Sequence, residues 1–275
     1  MYTFTKRISS AILAFILLIL GVSGSVMHLT DGVPINAKRN KYSYDNSRLL
    51  IGAYGASSSN LKSVEYAADA GIDFFITSTS RAFLDECEKF DIGVITSSYL
   101  PTAYGKMNEN TKNVWVNLKA EDITRHPAIW GYDMIDEPDA GSFDAISEMV
   151  EGFRKAAPDK LPYINLFPMY ANNEQLGNDP QISTLKKIFL FNTDFSDEQI
   201  DQYKRHVSDY INKIDTDYIS TDIYPFGCHT DSKGALHKDT SKAWLRNLDI
   251  LAEACKKTDR DLWVIIQACG NYGID

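Results

Sequence analysis

Seven short stretches of bulky apolar residues recur along the chain, and segments of helical spacing separate them. Leu49–Gly55, Asp73–Ser78, Ile92–Ser98, Ile129–Ile135, Leu161–Phe167, Tyr218–Pro225 and Leu262–Gln267 read as strands. Ile129–Ile135 is almost continuously apolar, as in strands buried on both faces. Between them, Leu61–Ala70 reads as a helix with Asn60 as its cap and Gly71 as its stop. Arg81–Phe90 and Asn113–Ile123 follow as helices. Ser142 opens a helix to Ala157, with Phe143, Ile146, Met149, Val150 and Phe153 in one stripe. Ser196-Asp-Glu opens another through Ile214, and Ser241–Lys256 is the last. The stretch Cys228–Thr240 is polar and reads as a loop. The long, mixed segment 171–192 reads as an insertion shaping a mouth.

This alternation belongs to the α/β class and predicts a (β/α)8 barrel. A barrel closes only when its first and last strands pair. Seven strands are counted before Asp275, so the expectation is a barrel incomplete at its C-terminal end, with an eighth unit beyond.

The fourth strand organises the rest. Pro138 cannot continue a ladder, so the strand ends at Asp136-Glu137 and leaves two carboxyls side by side at its C-terminal tip. That face is where such barrels keep their chemistry. The stretch His126-Pro-Ala-Ile-Trp-Gly-Tyr-Asp-Met-Ile-Asp-Glu-Pro138 resembles the fourth strand of retaining glycoside hydrolases of clan A, relatives of β-galactosidases and cellulases. The resemblance implies that Glu137 is the general acid/base of O-glycoside cleavage. Most members place Asn before this Glu, where this chain has Asp136. The clan also has a Tyr near the end of its sixth strand that hydrogen-bonds the nucleophile, and Tyr224 resembles it. The clan nucleophile, a Glu ending the seventh strand, has Gln267 in its place here. A neutral amide cannot form the glycosyl-enzyme ester, so the sequence assigns no nucleophile.

Tyr54, Asp136, Asn165, Asp222, Tyr224 and Gln267 end predicted strands and are the expected sugar-binding residues around Glu137. Two other readings stand beside the enzyme. One is a non-catalytic, exported carbohydrate-binding barrel whose mouth holds a glycan by stacking and hydrogen bonds. The other is a barrel enzyme of another reaction, which no phosphate loop, nicotinamide fingerprint or metal-ligand pattern supports. No cofactor and no metal is expected.

Composition narrows the partners. A net charge of −9 speaks against nucleic acid, whose phosphates call for clustered Lys and Arg. Fifteen Tyr, thirteen Phe and four Trp suit stacking on sugar rings, although aromatics also fill cores. At the N-terminus, Lys6-Arg7 precedes the apolar run Ala11–Val22 and the small residues Ser23-Gly-Ser25, the pattern of an export signal. Residues 1–26 are expected to be a signal peptide or signal anchor, 27–47 a linker, and 48–275 the barrel. The chain is then secreted or at the cell surface, and any membrane association runs through that anchor. Cys87, Cys228, Cys255 and Cys269 match no zinc spacing, and sequence leaves their pairing open. His126 reads as a turn or packing residue, and His229 and His237 as solvated loop histidines.

Overall fold

Phe74 and Trp263 lie on strands five ladders apart in one sheet, yet their ring centroids are 5.4 Å apart. At ~4.8 Å per strand a flat sheet would hold them roughly 24 Å apart. The sheet therefore curls into a near-closed barrel. In this computed structural model, residues 48–97, 104–177, 195–230, 235–240 and 242–267 are described. The expected signal segment 1–26, the linker 27–47, Ser98 and Tyr99, most of the 171–192 insertion, and Cys269 lie outside the described residues.

The strands are β1 (Gly52–Tyr54), β2 (Phe74–Thr77), β3 (Gly93–Ser97), β4 (Ile129–Asp136), β5 (Leu161–Leu166), β6 (Tyr218–Asp222), β7 (Phe226–Thr230), β8 (Leu236–Thr240) and β9 (Asp261–Ile265). The barrel sheet runs β1-β2-β3-β4-β5-β6-β9, with every neighbouring pair parallel. The helices α1 (Lys62–Ala70), α2 (Arg81–Lys89), α3 (Glu109–Thr124), α4 (Phe143–Ala156), α5 (Asp197–Lys213) and α6 (Lys242–Thr258) alternate with these strands. Among the described residues, β1 and β9 share no ladder and no eighth barrel strand is present. The architecture is that of a (β/α)8 barrel with seven of its strands described.

Two cores divide the apolar residues by strand parity. Phe74, Ile76, Ile95, Leu161, Tyr163 and Tyr218 pack with Leu50, Trp130 and Trp263 inside the barrel. Their sequence neighbours Phe75, Val94, Ile164 and Ile219 face the helices, where Tyr132 stacks on Phe153 at 5.3 Å. Two glycines make the interior possible. A Cβ on Gly93 would lie 2.0 Å from the Trp130 ring, and one on Gly52 would lie 2.3 Å from that of Phe74. The large rings occupy the space that those side chains would have taken.

Three local expectations are corrected. The polar stretch Cys228–Thr240 is not a plain loop, because β7 and β8 form an antiparallel hairpin between β6 and α6. Polarity misled here, since backbone pairing in a hairpin needs no apolar face. The residue capping α1 is Leu61, without a side-chain bond, while Asn60 accepts from Ser63 Oγ through its carbonyl. Ser142 stands before α4 but donates its hydroxyl to Asp139 O instead of capping. Ser196 does form a capping box, with Gln199. Among the described residues no helix is long and apolar enough to cross a membrane.

Candidate active site

A bulge in β4 sets the site. Asp133 pairs with Tyr163, but the next paired residue is Ile135, opposite Ile164, so Met134 is the extra residue. A regular strand from Asp133 would turn Ile135 inward and Asp136 outward, because side chains alternate. The bulge reverses this. Met134 and Ile135 both join the helix-side core, and Asp136 comes level with Asn165. Asn165 is in turn level with Ser220 of β6, so three polar side chains form one row across β4, β5 and β6.

The row is bonded from below. Tyr163, buried in the barrel core and stacked on Tyr218, has its hydroxyl 2.8 Å from Ser220 Oγ. Ser220 donates to Asn165 Oδ1 at 3.2 Å, so Tyr163 donates to Ser220. That fixes the Asn165 amide with its nitrogen upward. Nδ2 donates to Asp136 Oδ1 at 3.0 Å and to Asp222 Oδ1 at 2.7 Å. Two carboxyls are thus held within about 6 Å of each other by one buried amide.

Glu137 follows directly. Its N–H donates to Asn165 O at 2.9 Å, and its backbone is left-handed with φ 45°. A non-glycine residue there costs of order 1 kcal/mol or more, and such strain gathers at functional positions. Burial, then the charge of Asp222, then that of Asp136 push the Glu137 carboxyl up to about 7. Asp136 is exposed as a residue, but its crowded carboxyl is desolvated. That raises its pKa, Asp222 adds to the rise, and the Asn165 bond opposes it. Burial and the charge of the Asp222 carboxyl push the Tyr224 phenol up to about 12. Burial and the charges of Asp222 and Glu137 raise Tyr170 as well.

The structure therefore brings together Asp136, Glu137, Asn165, Asp222 and Tyr224 at the C-terminal end of the sheet. Tyr54 sits at the same end, at the tip of β1, and is exposed. Gln267 lies two residues past β9. Its Oε1 accepts from Phe226 N–H at 3.0 Å, while its buried Nε2 has no partner among the described residues.

Asp133 was not foreseen. It is 1% exposed in the barrel interior, where Oδ2 accepts from Ser97 Oγ at 3.2 Å and Oδ1 has no partner among the described residues. Burial pushes its carboxyl up to about 7; the Ser97 bond opposes this and the charge of Asp136 adds to it. A lone carboxylate within the run Gly-Tyr-Asp-Met-Ile was the signal available. Ser220 and Tyr163 gave none, since inward polar residues are invisible before the register is known.

His126 lies at the opposite end of the sheet, before β4, with Nε2 3.1 Å from Asp85 and 3.6 Å from Glu88. These three could surround a cation, but Nδ1 accepts the Ala128 N–H, which leaves the ring proton on Nε2. The nitrogen facing the carboxylates is thus a donor, and His126 reads as the packing residue expected. The side chains of His229 and His237 and the pairing of Cys228 are outside what is described; Cys87 and Cys255 are buried and free.

No protein-family model matches the chain, and no curated protein matches it significantly. Solved structures similar to it include endoglucanase Cel5A of Pseudomonas stutzeri in complex with cellobiose. The TM-score is 0.49 at 13% identity, over 82% of this chain and 76% of that one. A broad-specificity endoglucanase of Clostridum cellulovorans gives 0.36 at 14%, over 82% and 86%. A chitinase of Chromobacterium violaceum gives 0.42 at 10%, over 79% and 94%. All three scores are below 0.5, so the architecture rests on the strand order and ring packing described above.

Proposed function

We propose that the chain is an exported, glycoside hydrolase-like barrel acting on O-glycosidic bonds, with Glu137 as general acid/base. The observation that carries this reading is the Glu137 carboxyl at the barrel mouth, backed by two carboxylates that one Asn165 amide holds in place. An acid that keeps its proton to about 7 can deliver it to a departing sugar oxygen and later take one from water. Tyr54, Tyr170 and Tyr224 offer rings at the same end for a sugar to stack on, and Asn165 holds the carboxylates in position. Export rests on the apolar run Ala11–Val22 behind Lys6-Arg7.

The test is a panel of 2,4-dinitrophenyl glycosides and unactivated disaccharides, run on wild type and on Glu137→Gln of matching thermal midpoint. Gln keeps the shape but has no carboxyl proton, so loss of about 10²–10⁴-fold is expected on unactivated substrates and less on the first step with activated ones. Azide, which needs no base, should restore turnover of the activated substrate by Glu137→Ala. Equal cleavage of a disaccharide by wild type and Glu137→Gln removes the assignment.

Gln267 favours a second reading, a carbohydrate-binding barrel without catalysis. Its amide nitrogen, without a partner among the described residues, is a donor for a sugar hydroxyl and not a nucleophile. Binding of an oligosaccharide by calorimetry, with no turnover across the whole panel, would support this reading over the enzyme.

A further inference from the structure

We infer that Asp222 is the nucleophile that works opposite Glu137, an assignment that rests on the glycosidase reading above. Asp222 is the last residue of β6 and stands two positions beyond Ser220, on the same inward face and one layer above the Asn165 row. The Asn165 amide fixes it at 2.7 Å, and the Tyr224 phenol lies near enough to feel its charge. The amide bond holds that carboxyl in one orientation. Of the charges near Glu137, Asp222 raises its carboxyl most and Asp136 second.

The alternatives fit less well. Gln267 is a neutral amide whose oxygen is taken by the Phe226 N–H. Asp133 is enclosed in the barrel interior, where no sugar reaches it. Asp136 precedes Glu137 in the chain and shares its strand end, so the two flank one side of the mouth. Asp222 comes from the strand two places along. The arrangement also explains how a barrel with Gln267 at the end of β9 could retain a two-carboxyl mechanism.

The reaction balances with these groups alone. A carboxylate oxygen of Asp222 attacks the anomeric carbon and forms an ester bond. The bond from that carbon to the leaving oxygen breaks, its electron pair stays on the oxygen, and Glu137 supplies the proton. Water then attacks the same carbon and gives a proton to Glu137, and the ester electrons return to Asp222. One water is consumed and configuration is retained.

The test uses the wild-type chain, so it does not depend on a variant folding. The probe is the 2,4-dinitrophenyl 2-deoxy-2-fluoroglycoside of whichever sugar in the panel is cleaved. The expected result is a burst of one dinitrophenolate per chain, and a mass gain of one fluoroglycosyl group on the peptide carrying Asp222. As a second measurement, Asp222→Gly with azide should give a glycosyl azide of inverted configuration, whereas Glu137→Ala with azide gives the retained one. Labelling of Asp136 or another residue overturns the assignment, as does an inverted product from wild type. Failure of the Glu137 variants to lose activity overturns the underlying reading instead, and the two failures are distinct.

Discussion

Asp136 and Asn165 stand directly opposite each other across the β4–β5 ladder, and the amide nitrogen that Asn165 gives to Asp136 it also gives to Asp222. This sharing makes Asn165 a spacer between two like charges as well as a donor. Carboxylates so close repel, and in a partly desolvated mouth the repulsion is screened little. One buried amide, 1% exposed, offsets part of that cost.

Removing the spacer should cost stability in a pH-dependent way. Asn165→Leu strips both carboxylates of their common donor and leaves the Ser220 hydroxyl without its acceptor. Each orphaned group costs roughly 1–3 kcal/mol, so a loss of about 3 kcal/mol is expected at pH 8. The loss should shrink at pH 5, where Asp136 takes up a proton more readily than an ordinary carboxyl. Urea denaturation at both pH values checks it; equal losses would mean that the amide acts through packing and not through charge.

Asp133 should contribute a penalty to the fold in base that it does not contribute in acid. Its carboxyl titrates near 7 in the folded chain and near 3.8 unfolded, so between those values the folded chain holds a proton the unfolded one has released. The sign follows from linkage: there is no penalty below pH 3.8, a growing one up to 7, and a full one above. For a group this buried the full penalty is about 4 kcal/mol. Glu137 adds in the same direction between 4.5 and 7, by less because it is partly open to solvent. Asp133→Asn keeps an acceptor for Ser97 and removes the charge. It should melt above wild type at pH 8 and with it at pH 4.

His206 works in the opposite direction. It is fully buried between Phe143, 5.1 Å away by ring centroids, and Tyr203 at 6.3 Å, and burial pulls its pKa down to about 4. A base held neutral by the fold contributes stability that is complete above 6.5 and lost as pH falls to 4. His206→Leu, of similar bulk, should flatten the acid side of the stability curve between those values. An unchanged acid slope in thermal melts would assign it to other groups.

Gly93 and Trp130 form a steric pair that can be tested by a double-mutant cycle. The Cβ of Gly93→Ala would lie 2.0 Å from the Trp130 ring, so the indole must move within a packed barrel. Overpacking of this kind costs about 1–3 kcal/mol. Trp130→Val alone leaves a cavity, but combined with Gly93→Ala it should cost less than the two separately, a coupling seen as non-additive melting temperatures. Additive effects would mean that the strands shift and the ring does not.

What the sequence showed and hid follows from the range of each signal. Seven parallel strands were legible because Ile129–Ile135 and its counterparts carry mostly apolar runs, and strand ends at Pro138 and Pro225 carry their own punctuation. Glu137, Asn165, Asp222 and Tyr224 could be named because a barrel gathers its strand ends on one face. The order of contacts could not be named. Whether Asp136 faces the mouth or the helices depends on the bulge at Met134, and nothing in Asp-Met-Ile-Asp announces a bulge. The hairpin β7–β8 hid for a related reason. Its pairing, Phe226 with Thr240 through Thr230 with Leu236, is between backbones, while the residues between are polar.

The pH dependence of turnover ties these residues to the proposed chemistry. If Glu137 donates the proton, kcat/KM must fall as that carboxyl ionises, with a basic limb near 7. Asp136 is one of the two charges that hold the Glu137 proton on, so Asp136→Asn should make Glu137 a stronger acid. The basic limb then moves to lower pH, by roughly half a unit to one unit. Asp133→Asn is the control. Its charge lies beneath the row and is not among those raising Glu137, so the limb should stay in place although the protein becomes more stable at pH 8. A simple change in rigidity would alter both variants alike. A limb that moves with Asp133→Asn and ignores Asp136→Asn would show that the group titrating near 7 is Asp133, and that the proton delivered to the sugar comes from elsewhere.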